Sequence, residues 1–158
     1  MTKAEKLVSI LSEKGWHISF AESCTGGLAA AGIVDVAGSS AVLNASFVTY
    51  ANEAKIKYVD VSPETIKLHG VVSEEVAGEM AKGVAKETAS EVGIGISGIA
   101  GPGGGTDRKP VGMVCFGFCI DGEVFTKTMQ FGNIGRTEVR TASVEFVYDT
   151  LLEKLSSL

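Results

Sequence analysis

The chain is predicted to fold as an α/β protein, a three-layer α/β sandwich with a mixed sheet formed by a single domain over residues 1–158. Three observations predict it. Short strand-like runs alternate with segments of helical period, the pattern of helices packed on a largely parallel sheet. Two further strand-like runs meet at Asp121-Gly122, a hairpin turn signal that adds an antiparallel pair. A length of 158 residues with 45% hydrophobic composition suits one core and leaves little room for a second.

The elements follow in order. Leu7, Ile10 and Leu11 recur at helical spacing, and Gly15 can end that helix. His17 to Phe20 reads as a strand, AESCTGG as a turn, and Gly27 to Val34 as an Ala-rich helix. A second strand is expected at Ser46 to Tyr50, with Asn52 as the cap of a helix carrying Glu53, Lys55 and Lys57. Ser62-Pro63-Glu64 starts a short helix through proline at its first position. Ser73-Glu74-Glu75 starts a longer one, expected to reach Ser90. Gly93 to Ser97 reads as a buried strand, followed by the loop GIAGPGGGTDRKP. Val111 to Ile120 and Val124 to Phe131 form the hairpin, and a helix from Arg136 to Leu155 closes the chain. The glycine-rich loops fall at strand ends, where open α/β sheets bind ligands.

Composition narrows the function classes. With 14 basic and 19 acidic residues the net charge is −5, and no basic run marks a nucleic-acid partner. No apolar run approaches the ~20 residues of a membrane span. The three cysteines, Cys24, Cys115 and Cys119, form no paired framework, which with no export signal points to a reducing, cytoplasmic compartment. Cys115 and Cys119 lie four apart in a strand and are expected to pack on one face of it. His17 and His69 belong to no ligand-spaced cluster, so no metal site is expected.

Four constellations can carry chemistry. In Glu22 to Gly27, Ser23 sits between a strand and a helix start, where the N–H groups of Thr25, Gly26 and Gly27 and the helix dipole would favour an oxyanion. The same serine or Thr25 could instead merely cap the helix. Cys24 is the rival nucleophile, or a small buried hydrophobe. In Thr49 to Lys55, Lys55 in the first turn of a helix is disfavoured as a cation, which suits a general base, and Tyr50 could relay or orient the proton. A surface lysine and a core tyrosine are the plainer alternative. From Ser97 to Thr106, consecutive glycines can form an anion nest, here without the G-K-[ST] of a Walker loop, or a plain flexible loop. Arg136 and Arg140, one turn apart at the start of the last helix, could clamp a phosphomonoester or simply line a solvated face.

AESCTGG, the GSS of Gly38 to Ser40, FVTYANEAK, HGVVSEE, SGIAGPGGG and KPVG occur in that order over residues 3 to 155. In this the chain closely resembles the CinA C-terminal domain family, whose members act as nicotinamide-nucleotide amidohydrolases. The resemblance implies hydrolysis of nicotinamide mononucleotide to nicotinic acid mononucleotide and ammonia, a salvage step, without metal or other cofactor. It implies Ser23 as nucleophile, with Tyr50 and Lys55 as the base machinery. It implies a substrate-binding loop with Ser97, Gly98, Gly101, Gly103 and Gly104 and a contact from either Arg136 or Arg140, beside the Thr25, Gly26 and Gly27 read above as substrate-binding. It also implies a small-molecule nucleotide as substrate, no nucleic-acid or membrane partner, and a homo-oligomer, dimer or higher. Many relatives carry an N-terminal pyrophosphatase-like domain, and this chain looks like the stand-alone form. Where relatives commonly show Gly-Asp-Arg, this chain reads Asn133-Ile134-Gly135-Arg136. Two alternatives remain open: a non-catalytic nucleotide-binding regulatory module, and a thiol hydrolase using Cys24.

Overall fold

The computed structural model describes residues 1–158. Its elements are α1 (Lys3–Lys14), β1 (Ile18–Glu22), α2 (Leu28–Val34), a 3-10 turn at Ser39–Ala41, β2 (Leu43–Val48), α3 (Asn52–Val59) and α4 (Pro63–His69). Then come α5 (Glu74–Glu87), β3 (Val92–Gly98), β4 (Met113–Ile120), β5 (Glu123–Gln130) and α6 (Arg136–Ser156). The strands form one five-stranded sheet in the order β2-β1-β3-β4-β5. β1 is parallel to both β2 and β3, and β4 is antiparallel to β3 and β5. The α/β class and the mixed sheet therefore stand as read.

Alternation along the strands sorts the side chains into two layers. Ile18, Phe20, Ile94, Ile96, Phe116 and Phe118 join α1, α2 and α6 in a core of 21 buried residues. On the other face lie Ala21, Cys115 and Cys119, against Val76, Met80 and Val84, Ala77, and Ala81 and Ala85 of α5. The helix comes unusually close there, because β3 and β4 present glycine. A Cβ on Gly95 or Gly117 would stand 2.3 or 2.0 Å from the Ala77 carbonyl oxygen. Cys115 and Cys119 do share this face, as their spacing required.

Local chemistry explains most boundaries. Thr2 Oγ1 accepts from the Glu5 N–H while Glu5 accepts from the Thr2 N–H, a capping box that starts α1, and Gly15 ends it at φ +67°. Asp121 and Gly122 both have positive φ, 50° and 87°, as a tight hairpin requires.

Several boundaries move. β2 runs Leu43–Val48, not 46 to 50, because Leu43, Ala45 and Phe47 alternate inward and the Thr49 N–H makes the last bond to β1, on the Glu22 carbonyl at 2.9 Å. Tyr50 thus lies beyond the strand. Ala51, not Asn52, is the N-cap of α3, and no side chain caps it. α5 stops at Glu87, where Thr88 turns its hydroxyl back onto the Val84 carbonyl and Ala89 takes φ 51°. β4 starts at Met113, because Gly112 donates to the Ile99 carbonyl and closes the preceding loop.

Candidate active site

Three loops meet at the carboxyl ends of the parallel strands: Ser23–Gly27 after β1, Thr49–Ala51 after β2, and Ile99–Gly112 after β3. β1 is where the strand order reverses, with its successor β2 on one side and β3 on the other, so the site lies at a switch point of the sheet.

The first loop is set by β3. The Ser23 N–H donates to the Ile96 carbonyl at 3.0 Å, and the Gly26 N–H closes a turn onto the Ser23 carbonyl at 3.0 Å. Ser23 itself is half-buried. α3 carries Lys55 to it. The Lys55 side chain is buried at 1% exposure, and its Nζ lies 3.2 Å from Ser23 Oγ. Nζ also donates to the carbonyls of Thr49 at 2.6 Å and Tyr50 at 3.3 Å. No carboxylate pairs with it. Desolvation by burial lowers its pKa from 10.5 to about 8. In the neutral amine the two carbonyls take both N–H groups, which leaves the lone pair for the serine hydroxyl. That is the geometry of a serine–lysine pair.

Tyr50 departs from the expected relay. Its ring is 61% exposed, and its hydroxyl accepts a hydrogen bond from Arg136 at 3.1 Å and makes none with Lys55 or Ser23. Its contribution to Lys55 is its backbone carbonyl.

The oxyanion donors also need correction. Gly26 N–H is spent on Ser23, as above. The first free N–H groups inside α2 are spent as well, because Glu22, fully buried, accepts from Ala29 N at 2.9 Å and Ala30 N at 3.0 Å. Glu22 also accepts from the buried Thr25 hydroxyl at 2.6 Å. The helix dipole therefore ends on a carboxylate of the chain itself. The N–H groups of Thr25 and Gly27 find no acceptor, while that of Cys24 faces its own sulfur. Glu22 is a residue that motif reading passed over. An acidic side chain just before a glycine-rich helix start was the available signal.

Cys24 is buried at 6% exposure, and its thiol is pushed up to about 11, by desolvation first and the nearby Glu22 charge second. A thiol so protonated beside a lysine-paired serine is a poor nucleophile.

The glycine loop divides. Ser97 does not face a ligand: its hydroxyl donates to the Val71 carbonyl at 2.8 Å and its side chain is 1% exposed. It sits on the α5 face of β3, an orientation set by strand alternation. Gly98 is the last residue of β3, where a Cβ would press on Val114 at 2.7 Å. Gly101 accepts from Arg136 at 2.8 Å through its carbonyl. Gly103 and Gly104 are exposed, and neither they nor Gly105 find an acceptor for their N–H groups within the chain. These donors remain available to an anion. Arg136 spans from this loop to Tyr50, whereas Arg140 turns the other way. Its Nε donates to the Cys24 carbonyl at 2.9 Å and its terminal nitrogen to the Thr25 carbonyl at 3.1 Å. No three His, Cys, Asp or Glu side chains converge as a metal site, and no helix is long and apolar enough to cross a membrane.

Comparison with known proteins agrees with this architecture. Residues 1–155 match the model of a family described as the CinA C-terminal domain. A nicotinamide-nucleotide amidohydrolase PncC from Enterobacter agglomerans is 48% identical over 145 residues, which are 91% of this chain and 88% of that protein. A putative competence-damage inducible protein from Clostridium perfringens is 46% identical over the whole chain. The chain spans only 38% of that longer relative. The crystal structure of the competence/damage inducible protein CihA from Agrobacterium tumefaciens superposes with a TM-score of 0.92 at 39% identity, covering 99% of this chain and 97% of that one.

Proposed function

Because the chain belongs to the CinA C-terminal domain family, we propose that it hydrolyses the carboxamide of nicotinamide mononucleotide, releasing ammonia and nicotinic acid mononucleotide. The observation that carries this reading is the buried Lys55 amine, 3.2 Å from Ser23 Oγ with both of its remaining hydrogens directed at carbonyls. The amidohydrolase name of a relative matched over most of its length supports the substrate.

The reaction follows from the pair. Neutral Lys55 takes the Ser23 proton as Oγ attacks the carboxamide carbon. The carbonyl oxygen becomes an oxyanion, held by unspent N–H groups of the Cys24–Gly27 turn. The lysine ammonium returns its proton to the nitrogen, the C–N bond breaks and ammonia leaves. Water then attacks the acyl-serine ester, giving one proton to Lys55; the C–Oγ bond breaks, Lys55 returns that proton to Ser23 Oγ, and the acid product leaves as its carboxylate after losing its proton to solvent. Arg136 and the unpaired N–H groups of Gly103 and Gly104 would hold the nucleotide phosphate. The enzyme would work in the cytoplasm on a small nucleotide, as a homo-oligomer, in pyridine-nucleotide salvage.

The test is ammonia release from nicotinamide mononucleotide by the purified chain, with Ser23→Ala beside it. Ammonia from wild type alone is the expected result. Binding of the nucleotide without ammonia from either protein would overturn it in favour of a nucleotide-binding module.

A further inference from the structure

We infer that Arg140 is a positioning residue for the oxyanion hole rather than a phosphate ligand; the inference rests on the reading of Ser23 as the nucleophile. Its guanidinium donates to two consecutive carbonyls of the nucleophile turn, Cys24 at 2.9 Å and Thr25 at 3.1 Å. It reaches them from α6, more than a hundred residues further along the chain.

A planar trans peptide directs its N–H opposite to its C=O. Fixing the Cys24 carbonyl toward Arg140 therefore fixes the Thr25 N–H away from it. A cation on the carbonyl of a peptide also polarises that peptide's N–H, making it a stronger donor. The Thr25 N–H is the one this acts on, and it has no acceptor within the chain. The N–H of the other peptide held by Arg140, that of Gly26, closes the turn onto Ser23. One guanidinium thus strengthens both the free donor and the bond that sets the nucleophile's turn.

The surroundings exclude the simpler source of an oxyanion hole. Glu22 occupies the N–H groups of Ala29 and Ala30, so the start of α2 has no donors left there. The turn itself must supply them. It is also shaped to admit Arg140. A Cβ on Gly26 would stand 3.2 Å from the guanidinium nitrogen, at a backbone φ of +57°.

The probe is a fluorophosphonate. Ser23 Oγ forms the O–P bond, its proton passes to Lys55, the P–F bond breaks and fluoride leaves. The phosphoryl oxygen takes the place of the oxyanion, so labelling reports on the hole without requiring the amide substrate. Wild type should be labelled at Ser23, with Ser23→Ala as the blank. Arg140→Ala should be labelled about 10²–10³-fold more slowly, the cost of one oxyanion donor. Arg140→Lys, with a single ammonium for two carbonyls, should fall between. Low millimolar guanidinium should restore part of the rate in Arg140→Ala, which a misfolded variant would not allow. With nicotinamide mononucleotide, the loss in Arg140→Ala should fall on kcat, with KM within a few-fold of wild type.

A folded Arg140→Ala labelled at the wild-type rate, or one that loses KM alone, overturns the inference and returns Arg140 to the phosphate. A wild type that the reagent does not label also overturns it. Labelling slowed in Arg140→Ala, in a protein that releases no ammonia, upholds this role and rejects the substrate reading instead.

Discussion

The turn Ser23–Gly27 and the loop Ile99–Gly112 are both glycine-rich, and both leave the carboxyl end of a parallel strand. They are built differently. The turn is held from every side: by β3 at Ser23, by Glu22 at Thr25 and by Arg140 at Cys24 and Thr25. The loop is tied near its ends, by Arg136 at Gly101 and by Lys109, whose amine donates to the His69 carbonyl at 2.6 Å. Between them Pro102 to Arg108 are exposed. Glycine serves two ends here. In the turn it admits a bracing side chain and a left-handed backbone. In the loop it leaves N–H groups bare for an anion. Chemistry that needs fixed atoms belongs to the first, and recognition of a charged group needs only the second.

The largest effect should separate chemistry from binding. Lys55→Met should lower kcat/KM by about 10²–10⁴-fold, the range for loss of a general base. The same change should raise Tm by a few degrees, since it removes a buried amine whose ionisation the fold opposes; a thermal melt at pH 7 checks this. In wild type, kcat/KM should climb about tenfold per pH unit up to about 8 and level off above it, because only the neutral amine accepts the serine proton. Linkage has the same sign. With the folded pKa below the unfolded one, the unfolded chain binds more protons between about 8 and 10.5. The Lys55 contribution to stability therefore improves as pH rises through that window.

Arg136→Ala comes next. Loss of a charged donor to phosphate should raise KM about 10–100-fold, with a smaller change in kcat. Equal loss in both would move Arg136 into the chemistry and blur the distinction between the two loops.

The glycines themselves sharpen the comparison last. Gly26→Ala should destabilise the protein by about 1–2 kcal/mol in urea unfolding, the cost of a left-handed residue, since Gly26 has φ +57°. Gly103→Ala should be neutral or stabilising by up to about 1 kcal/mol through the unfolded chain, since its Cβ would meet nothing within 4 Å. If the two cost the same, the turn is no more constrained than the loop.

Local rules made much of this protein legible without its structure. Helical period with Gly15, the Ser62-Pro63 start, the Asp121-Gly122 hairpin and the strand–turn–helix around Ser23 each depend on a few neighbouring residues, and each formed. Errors of one to three residues arose where a boundary depends on the far partner, as at β2, whose register with β1 ends at Val48 opposite Glu22.

By itself the sequence determined the class of fold, the family and the two glycine-rich segments where a site could form, because periodicity, turn conformation and motif order are written in neighbouring residues. Only the tertiary structure decided which atoms meet. It brought Lys55 Nζ to Ser23, turned Ser97 onto Val71, gave the Tyr50 hydroxyl to Arg136, and set the Arg140 guanidinium on the Cys24 carbonyl. Those contacts depend on strand order and on the face each side chain takes in the sheet. They join segments dozens of residues apart, where no local preference reaches.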